Sequence, residues 1–232
     1  MSELVSYKRE DSIATITLDD GKANVLSLEM LEQVDAAFDQ AASDGAVVIL
    51  GGREGIFSGG FDLRELGTGS ATVSSMLRAG FELAERMLSY PKPVIIACSG
   101  HAIAMGVFLL LSGDYRLGTA GPYRITANEV AIGMPMPRAA VEICRQRLTP
   151  AHFHRAVILA EVYSPDEAVT AGFLDRVVSG SELSGEAREI ATRLGKLNME
   201  AHKATKLRAR ADTLTAVRAA IEADQAAFQA SA

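Results

Sequence analysis

Hydrophobic residues occur along this chain in short continuous runs and in longer stretches with helical spacing. Residues 46–50 and 93–98 are apolar runs, which are typical of strands buried on both faces of a sheet. Residues 12–18 alternate and are rich in β-branched side chains, a pattern that also predicts a strand. Residues 114–117 and 123–126 are shorter strand candidates.

Helical spacing of the apolar residues begins at residue 28, and Ser27 stands directly before it as a predicted N-cap. Ser164 followed by Pro165 is a second helix start, because proline suits the first helical position. The further helix candidates are residues 72–89, 105–112, 149–160 and 164–171. Strands that alternate with helices imply an α/β fold with right-handed crossovers.

The last section of the chain, residues 181–232, has a helical pattern throughout, many charges and few large apolar residues per turn. We therefore expect two regions, a core over residues 1–180 and a helical tail over residues 181–232. The tail is predicted to pack on the core or on another subunit. Its basic residues are expected to form a solvated face: Lys203, Lys206, Arg208 and Arg210.

Composition excludes several classes of function. The chain has 232 residues and a net charge of −6, which argues against a nucleic acid partner, since a phosphate backbone needs a basic face. The longest apolar stretch, residues 102–111, is too short to span a membrane, and no signal peptide is expected, so the prediction is a cytoplasmic protein. Cys98 and Cys144 are predicted to be buried thiols, with no disulfide or metal site.

Two segments with small residues follow the apolar strands. Residues 51–69 are predicted to be a glycine-rich loop, and residues 99–106 lead from a strand into an apolar helix. Such loops leave backbone N–H groups free, and two of them from consecutive strands can form an oxyanion hole. A glycine pair of this kind is also typical of an ordinary turn.

Glu129 is the carboxylate with the most unusual sequence context, since small and apolar residues surround it. Burial would raise its pKa and make it a better base near neutral pH. The same local sequence also fits a solvent-exposed glutamate in a loop.

Six motifs resemble those of the crotonase family in order and spacing: residues 21–26 (GKANVL), 57–63 (FSGGFDL), 100–106 (GHAIAMG), 114–117 (DYRL), 128–133 (NEVAIG) and 164–177. The resemblance covers nearly the whole chain. It implies a crotonase-like spiral of ββα turns with a C-terminal helical trimerisation region, and a homotrimer or hexamer. It also implies an acyl-CoA thioester substrate whose enolate is stabilised, with no cofactor besides the coenzyme A of the substrate.

The resemblance also assigns roles to residues. The backbone N–H groups of Phe61 and Met105 are the expected oxyanion-hole donors, and Met105 replaces the usual glycine, so its side chain would narrow the acyl pocket. The predicted contacts of the coenzyme A and acyl groups are Lys22, Ala23, Val25, Ser58, Gly60, Asp62, Leu63, His101 and Phe108. For His101 a pocket-lining role is favoured over a direct one. Arg53, Arg64 and the basic helical face are rival partners for a phosphate.

Crotonase hydratases use two glutamates, and this chain keeps one of them. Phe108 occupies the place of the first glutamate, whereas Glu129 occupies that of the second. This is the pattern of Δ3,Δ2-enoyl-CoA isomerases, in which one base takes a proton from C2 and returns it at C4. A hydratase, an acyl-CoA hydrolase and a non-catalytic acyl-CoA binder stay open as alternatives. A Ser/His/Asp triad is disfavoured because the chain lacks a nucleophile elbow, and His152 and His154 have the wrong helical spacing for a metal.

Overall fold

The computed structural model describes residues 3–62 and 70–231. The strands are β1 Val5–Glu10, β2 Ile13–Leu18, β3 Val25–Leu26, β4 Val47–Gly52, β5 Gly55–Ser58, β6 Gly60–Phe61, β7 Val94–Cys98, β8 Gly100–Ile103, β9 Tyr115–Thr119, β10 Ile125–Thr126 and β11 Arg176–Val178. The helices are α1 Leu28–Ser43, α2 Ser70–Ser89, α3 Met105–Leu111, α4 Arg138–Arg145, α5 Pro150–Leu159, α6 Pro165–Ala171, α7 Leu183–Leu194, α8 Met199–Ala209 and α9 Ala211–Ser231, with a 3₁₀ turn at Val130–Ile132.

The strands form a large sheet and two smaller ones. The large sheet has the order β1-β2-β4-β7-β9-β11, and all its neighbours are parallel except β1 and β2. A parallel three-stranded sheet has the order β10-β8-β5, and β3 pairs with β6. Each of β4, β7 and β9 is thus followed by a strand of a smaller sheet and then by a helix. This repeat confirms the predicted α/β spiral of ββα turns.

The two apolar runs form the centre of the large sheet as predicted. Every residue of β7 is buried, and so are the first five of β4. The predicted helix start at Ser164 is also confirmed, since its side chain and that of Glu167 make a reciprocal capping box. Cys98 and Cys144 are both buried free thiols.

Several short elements were not predicted. Strand β1 is a polar edge strand, so it lacks the apolar run that marks a buried strand. The segment predicted as glycine-rich loop contains β5 and β6, which are too short for a periodic signal. Helix α4 has 8 residues and was missed because it begins after Pro137 without a capping side chain, whereas Ser164 marked the start of the similarly short α6.

The helical tail packs on the core of its own chain. Helix α7 covers one face of the large sheet, and α9 lies against α2 and α4. Leu214, Val217 and Ile221 of α9 belong to the main hydrophobic cluster. None of the helices in the described part of the chain is long and apolar enough to cross a membrane.

The prediction that four basic residues of the tail form a solvated face is wrong for two of them. Lys206 and Arg210 both reach Asp114, at 2.7 and 3.0 Å, and the side chain of Lys206 is only 4% exposed. Asp114 also accepts the N–H of Val94 at 2.8 Å. Two turns of the tail are therefore fastened to the core by one carboxylate, which a helical wheel of the tail alone cannot show.

Candidate active site

Phe61 lies in a strand of two residues whose conformation depends on the glycine before it. Strand β6 pairs with β3, and the N–H of Asp62 donates to the carbonyl of Leu26 at 3.4 Å. Gly60 has a φ of +87°, which a residue with a side chain rarely adopts. This backbone turn sets the direction of the next peptide, which carries the N–H of Phe61.

Met105 is the first residue of α3, so its N–H has no acceptor within the helix. Ala104 before it has φ 51° and ψ −124°, a conformation that costs a non-glycine residue about 1–3 kcal/mol. The N–H of Ala104 donates to the carbonyl of Thr126 at 3.0 Å, which holds the turn in place. The strained turn directs the peptide between Ala104 and Met105.

The two predicted donor peptides lie side by side. A Cβ on Gly60 would come within 2.8 Å of the Cβ of Ala104, 2.9 Å of the carbonyl oxygen of Ile103 and 3.4 Å of the nitrogen of Met105. Only glycine at position 60 permits this approach. The structure therefore brings together the peptides that carry the N–H groups of Phe61 and Met105, as an oxyanion hole requires.

The side chains of Phe61 and Met105 both point toward α2. A Cβ on Gly80 would lie 2.7 Å from two ring carbons of Phe61 and 3.4 Å from Cε of Met105. Met105 is fully buried there. Gly80 was not singled out in the sequence, although an isolated glycine within a helical stretch is a signal of close packing.

Phe108 belongs to an aromatic cluster behind this turn. Its ring stacks on Phe81 with centroids 6.0 Å apart, and Phe81 makes an edge contact with Phe61 at 6.3 Å. Phe108 is 1% exposed. An apolar ring thus occupies the place of the first hydratase glutamate.

Glu129 lies just after β10 and opens the 3₁₀ turn. It is 4% exposed, and its Oε2 has no hydrogen-bond partner within residues 3–62 and 70–231. Burial raises the pKa of Glu129 to about 7, partly offset by a hydrogen bond from its own N–H. Burial, and then the nearby Glu129 carboxylate, also raises the pKa of the Cys144 thiol. Glu129 is thus buried, and the alternative of a solvent-exposed loop glutamate is wrong.

Asn24 holds the segment 20–25 against β5 and β6. It is fully buried with a φ of +48°, and its amide donates to the carbonyls of Leu18 and Phe57 at 2.9 and 3.2 Å. Ser58 donates to the carbonyl of Asn24 at 2.8 Å and accepts the N–H of Gly60 at 3.2 Å. This network positions the donor strand, and the sequence reasoning assigned Asn24 no role.

The chain is matched over residues 8–232 by the model of the enoyl-CoA hydratase/isomerase family. The chain belongs to this family. The resemblance to crotonases is confirmed, and the protein is a crotonase-family enzyme of acyl-CoA thioesters.

Relatives of this enoyl-CoA hydratase/isomerase family member have different names. This chain is 32% identical over 197 residues to a carnitinyl-CoA dehydratase of Salmonella paratyphi A, and the match covers 84% of this chain and 75% of that protein. It is also 49% identical to a Mycobacterium tuberculosis protein, with a TM-score of 0.94 and coverage of 97% and 99%. That protein is named an enoyl-CoA isomerase in one structure and a probable enoyl-CoA hydratase in another. A human mitochondrial delta3-delta2-enoyl-CoA isomerase is 25% identical, with a TM-score of 0.92 and coverage of 97% and 90%.

The other residues predicted to bind coenzyme A differ in accessibility. Lys22 and Ala23 of this family member are exposed and Val25 is half-buried. Ser58 is fully buried with its hydroxyl bonded internally, so a contact through its side chain is excluded in this conformation. Asp62 is buried, and Leu63 and Arg64 lie outside the described residues.

Side chains with alternative roles have structural partners. Nδ1 of His101 accepts the N–H of Arg124 at 3.0 Å, and the ring makes an edge contact with Tyr123. Arg53 donates to the carbonyl of Lys22 at 2.7 Å, which braces the predicted coenzyme A segment. His152 bonds to Thr149, and the described residues contain no group of three or more candidate metal ligands.

Proposed function

We propose that this enzyme isomerises 3-enoyl-CoA to trans-2-enoyl-CoA with Glu129 as the single acid and base. The proposal is carried by the combination of two features. Glu129 is buried and its Oε2 has no hydrogen-bond partner in the described structure, and position 108 holds an aromatic ring instead of a second glutamate. Isomerisation moves one proton between two carbons and adds no water. One carboxylate in an apolar site is sufficient for this chemistry.

The proposed reaction has two proton transfers and one enolate intermediate. Glu129 takes a proton from C2 of the 3-enoyl thioester, and the thioester oxygen becomes an enolate oxygen. The N–H groups of Phe61 and Met105 hold that oxygen, each contributing about a hundred- to thousandfold in rate. The protonated Glu129 then delivers the proton to C4, which leaves the double bond between C2 and C3.

The raised pKa of Glu129 suits both halves of the reaction. A base with a pKa near the working pH is partly ionised and is still strong enough to attack a carbon acid. After the first transfer the neutral carboxyl group is stabilised by its apolar surroundings, because burial favours the uncharged form. It can therefore keep the proton until C4 comes within reach.

A hydratase-type reaction is the second candidate, and the name of the Salmonella relative favours it. The Mtb relative is named an isomerase in one structure and a probable hydratase in another, so its name favours neither candidate. The human relative bears an isomerase name and supports the first candidate. In the resembled hydratases a second glutamate helps to activate water, and Phe108 cannot supply that function. We therefore rank isomerisation above hydration.

The test is turnover of the purified protein on medium-chain 3-enoyl-CoA and 2-enoyl-CoA, with the products separated by chromatography. We expect 2-enoyl-CoA from the 3-enoyl substrate without 3-hydroxyacyl-CoA. Glu129→Gln should lose about 10²–10⁴-fold in kcat and keep its affinity for a saturated acyl-CoA. Glu142→Gln, on α4 and paired with Arg145, is the matched control and should retain wild-type turnover.

Two results would reject the isomerase. Formation of the 3-hydroxyacyl product from 2-enoyl-CoA would establish a hydratase. Acyl-CoA binding without turnover of either substrate would indicate a non-catalytic binder or another enolate reaction. The homotrimer or hexamer and the cytoplasmic location stay predictions.

A further inference from the structure

A cavity of about 620 Å³ lies between α2, residues 134–138 and the C-terminal part of α9. Its apolar lining includes Leu77 and Phe81 of α2, Met136, and Ile221 of α9. Pockets for small ligands are typically about 300–1,000 Å³ and mostly apolar. The cavity therefore has the size and character to hold a hydrocarbon chain.

The inner end of this cavity adjoins the candidate active site. Phe81 lines the cavity and makes the edge contact with Phe61, one of the two predicted donors. Met134 also lines the cavity, and its N–H donates to the carbonyl of Glu129 at 2.9 Å. An acyl chain that passed between these two residues would therefore enter the cavity.

The outer wall is α9, and Asp224 fastens it to α4. Helix α4 begins after Pro137, which offers no side-chain cap. The carboxylate of Asp224 accepts the N–H groups of Arg138 at 3.1 Å and Ala139 at 3.0 Å, and it also pairs with the Arg138 guanidinium at 3.1 Å. A residue of α9 thus supplies the cap that α4 lacks.

Arg78 fastens the same stretch of α9 to α2. Its guanidinium pairs with Glu222 at 2.9 Å and bonds to Gln225. A third link between the two helices, Arg218 to Glu85 at 2.5 Å, lies outside the cavity lining. Asp224 and Arg78, which make the other two links, both line the cavity.

We propose that Asp224 and Arg78 are positioning residues that hold α9 as the wall of an acyl-chain cavity and thereby set the chain length that the enzyme accepts. The preferred substrates are unbranched acyl thioesters of medium length. Each methylene buried in an apolar pocket strengthens binding about fourfold. The charged links limit how far an apolar chain can extend, because burying a charge without its partner is unfavourable. The inference rests on the proposed function, which places the thioester between Glu129 and the N–H groups of Phe61 and Met105.

The experiment measures dissociation constants for the saturated thioesters hexanoyl-CoA, dodecanoyl-CoA and hexadecanoyl-CoA by calorimetry. These ligands have no double bond to move or to hydrate, so the measurement is independent of whether the enzyme is an isomerase or a hydratase. We expect wild-type protein to bind dodecanoyl-CoA about tenfold or more tightly than either other ligand. Asp224→Ala and Arg78→Ala should each reduce the preference for dodecanoyl-CoA over hexadecanoyl-CoA about fivefold.

Matched controls separate this role from general stability. Arg218→Ala breaks an α2–α9 link outside the cavity and should keep the wild-type preference. If the Ala variants unfold, Ala227→Trp places a large ring at the cavity lining on α9 and should weaken the binding of dodecanoyl-CoA selectively. Ala226→Trp changes a neighbour that does not line the cavity and should leave this binding unchanged. Equal affinity of wild type for all three chains, or an equal effect of Arg218→Ala or Ala226→Trp, overturns the proposal. Loss of turnover alone would affect only the isomerase assignment.

Discussion

Gly80 of α2 lies so close to Phe61 that a Cβ at position 80 would stand 2.7 Å from two carbons of the Phe61 ring. The same Cβ would lie 3.4 Å from the side-chain methyl of Met105. One helical glycine thus contacts the side chains of both residues whose backbone N–H groups are the predicted oxyanion donors. The position of α2 and the geometry of the donors are therefore coupled.

The first prediction concerns this contact. Gly80→Ala should displace the Phe61 ring, and with it the donor peptide, so kcat should fall about tenfold or more. Overpacking costs about 1–3 kcal/mol, of which the better helix propensity of alanine returns about 1 kcal/mol. Steady-state kinetics and urea unfolding measure the two effects. Ser75→Ala on the exposed side of α2 is the control, and unchanged kcat in Gly80→Ala would show that the donors tolerate the shift.

The second prediction concerns the pH dependence of turnover. Glu129 must be ionised to take the first proton, and burial raises its pKa to about 7. We therefore expect kcat/KM to rise about tenfold per pH unit below pH 7 and to level off above it. A profile measured from about pH 5.5 to 8.5 tests this. A flat profile would exclude Glu129 as the base with this pKa.

The third prediction is that Glu129→Gln makes the protein more stable at alkaline pH. Because the pKa is raised on folding from the model-peptide value of 4.5 to about 7, the folded state binds more protons than the unfolded state between these values. Wild-type stability falls as pH rises through this window, by about 3 kcal/mol for this group. A neutral glutamine has no such loss.

Urea unfolding of both proteins at about pH 8.5 and pH 4 measures this difference. The variant should be the more stable protein at the higher pH and close to wild type at the lower. Equal stability of the two proteins at the higher pH would mean that Glu129 is solvated in the folded state.

The fourth prediction concerns the buried charges that hold the tail. Asp114→Ala leaves Lys206 and Arg210 without their carboxylate, and removal of one partner from a buried ion pair costs about 3–5 kcal/mol. Lys206→Met fills the same space and leaves Asp114 paired with Arg210, so we expect a change of about 1 kcal/mol or less. Equal losses in the two variants, measured by urea unfolding, would contradict this asymmetry.

Local patterns determined much of the fold. The apolar runs at residues 46–50 and 93–98 predicted the central strands, because a strand buried on both faces must be apolar throughout. Ser164 and Glu167 predicted a helix start through contacts only three residues apart. These signals depend on neighbours along the chain, so the sequence is sufficient to detect them.

The candidate site could be predicted only in part. The motif around Glu129 marked the residue, but its burial depends on elements elsewhere in the fold, including α4, which carries Cys144 beside it. Gly80 contacts Phe61, 19 residues away, and Asn24 bonds to Phe57, 33 residues away. A periodic pattern of hydrophobic residues does not predict contacts of this kind.

The sequence by itself determined the alternation of strands and helices, the family motifs that implied the ββα spiral, and the identity of the candidate base. Only the tertiary structure decided that Gly60 joins the two donor peptides, that Asp114 neutralises two residues of a tail expected to be solvated, and that Asp224 caps a helix 86 residues away. The physical reason is that periodicity is set by the local backbone, whereas burial and the pairing of charges depend on segments that meet only when the chain is folded.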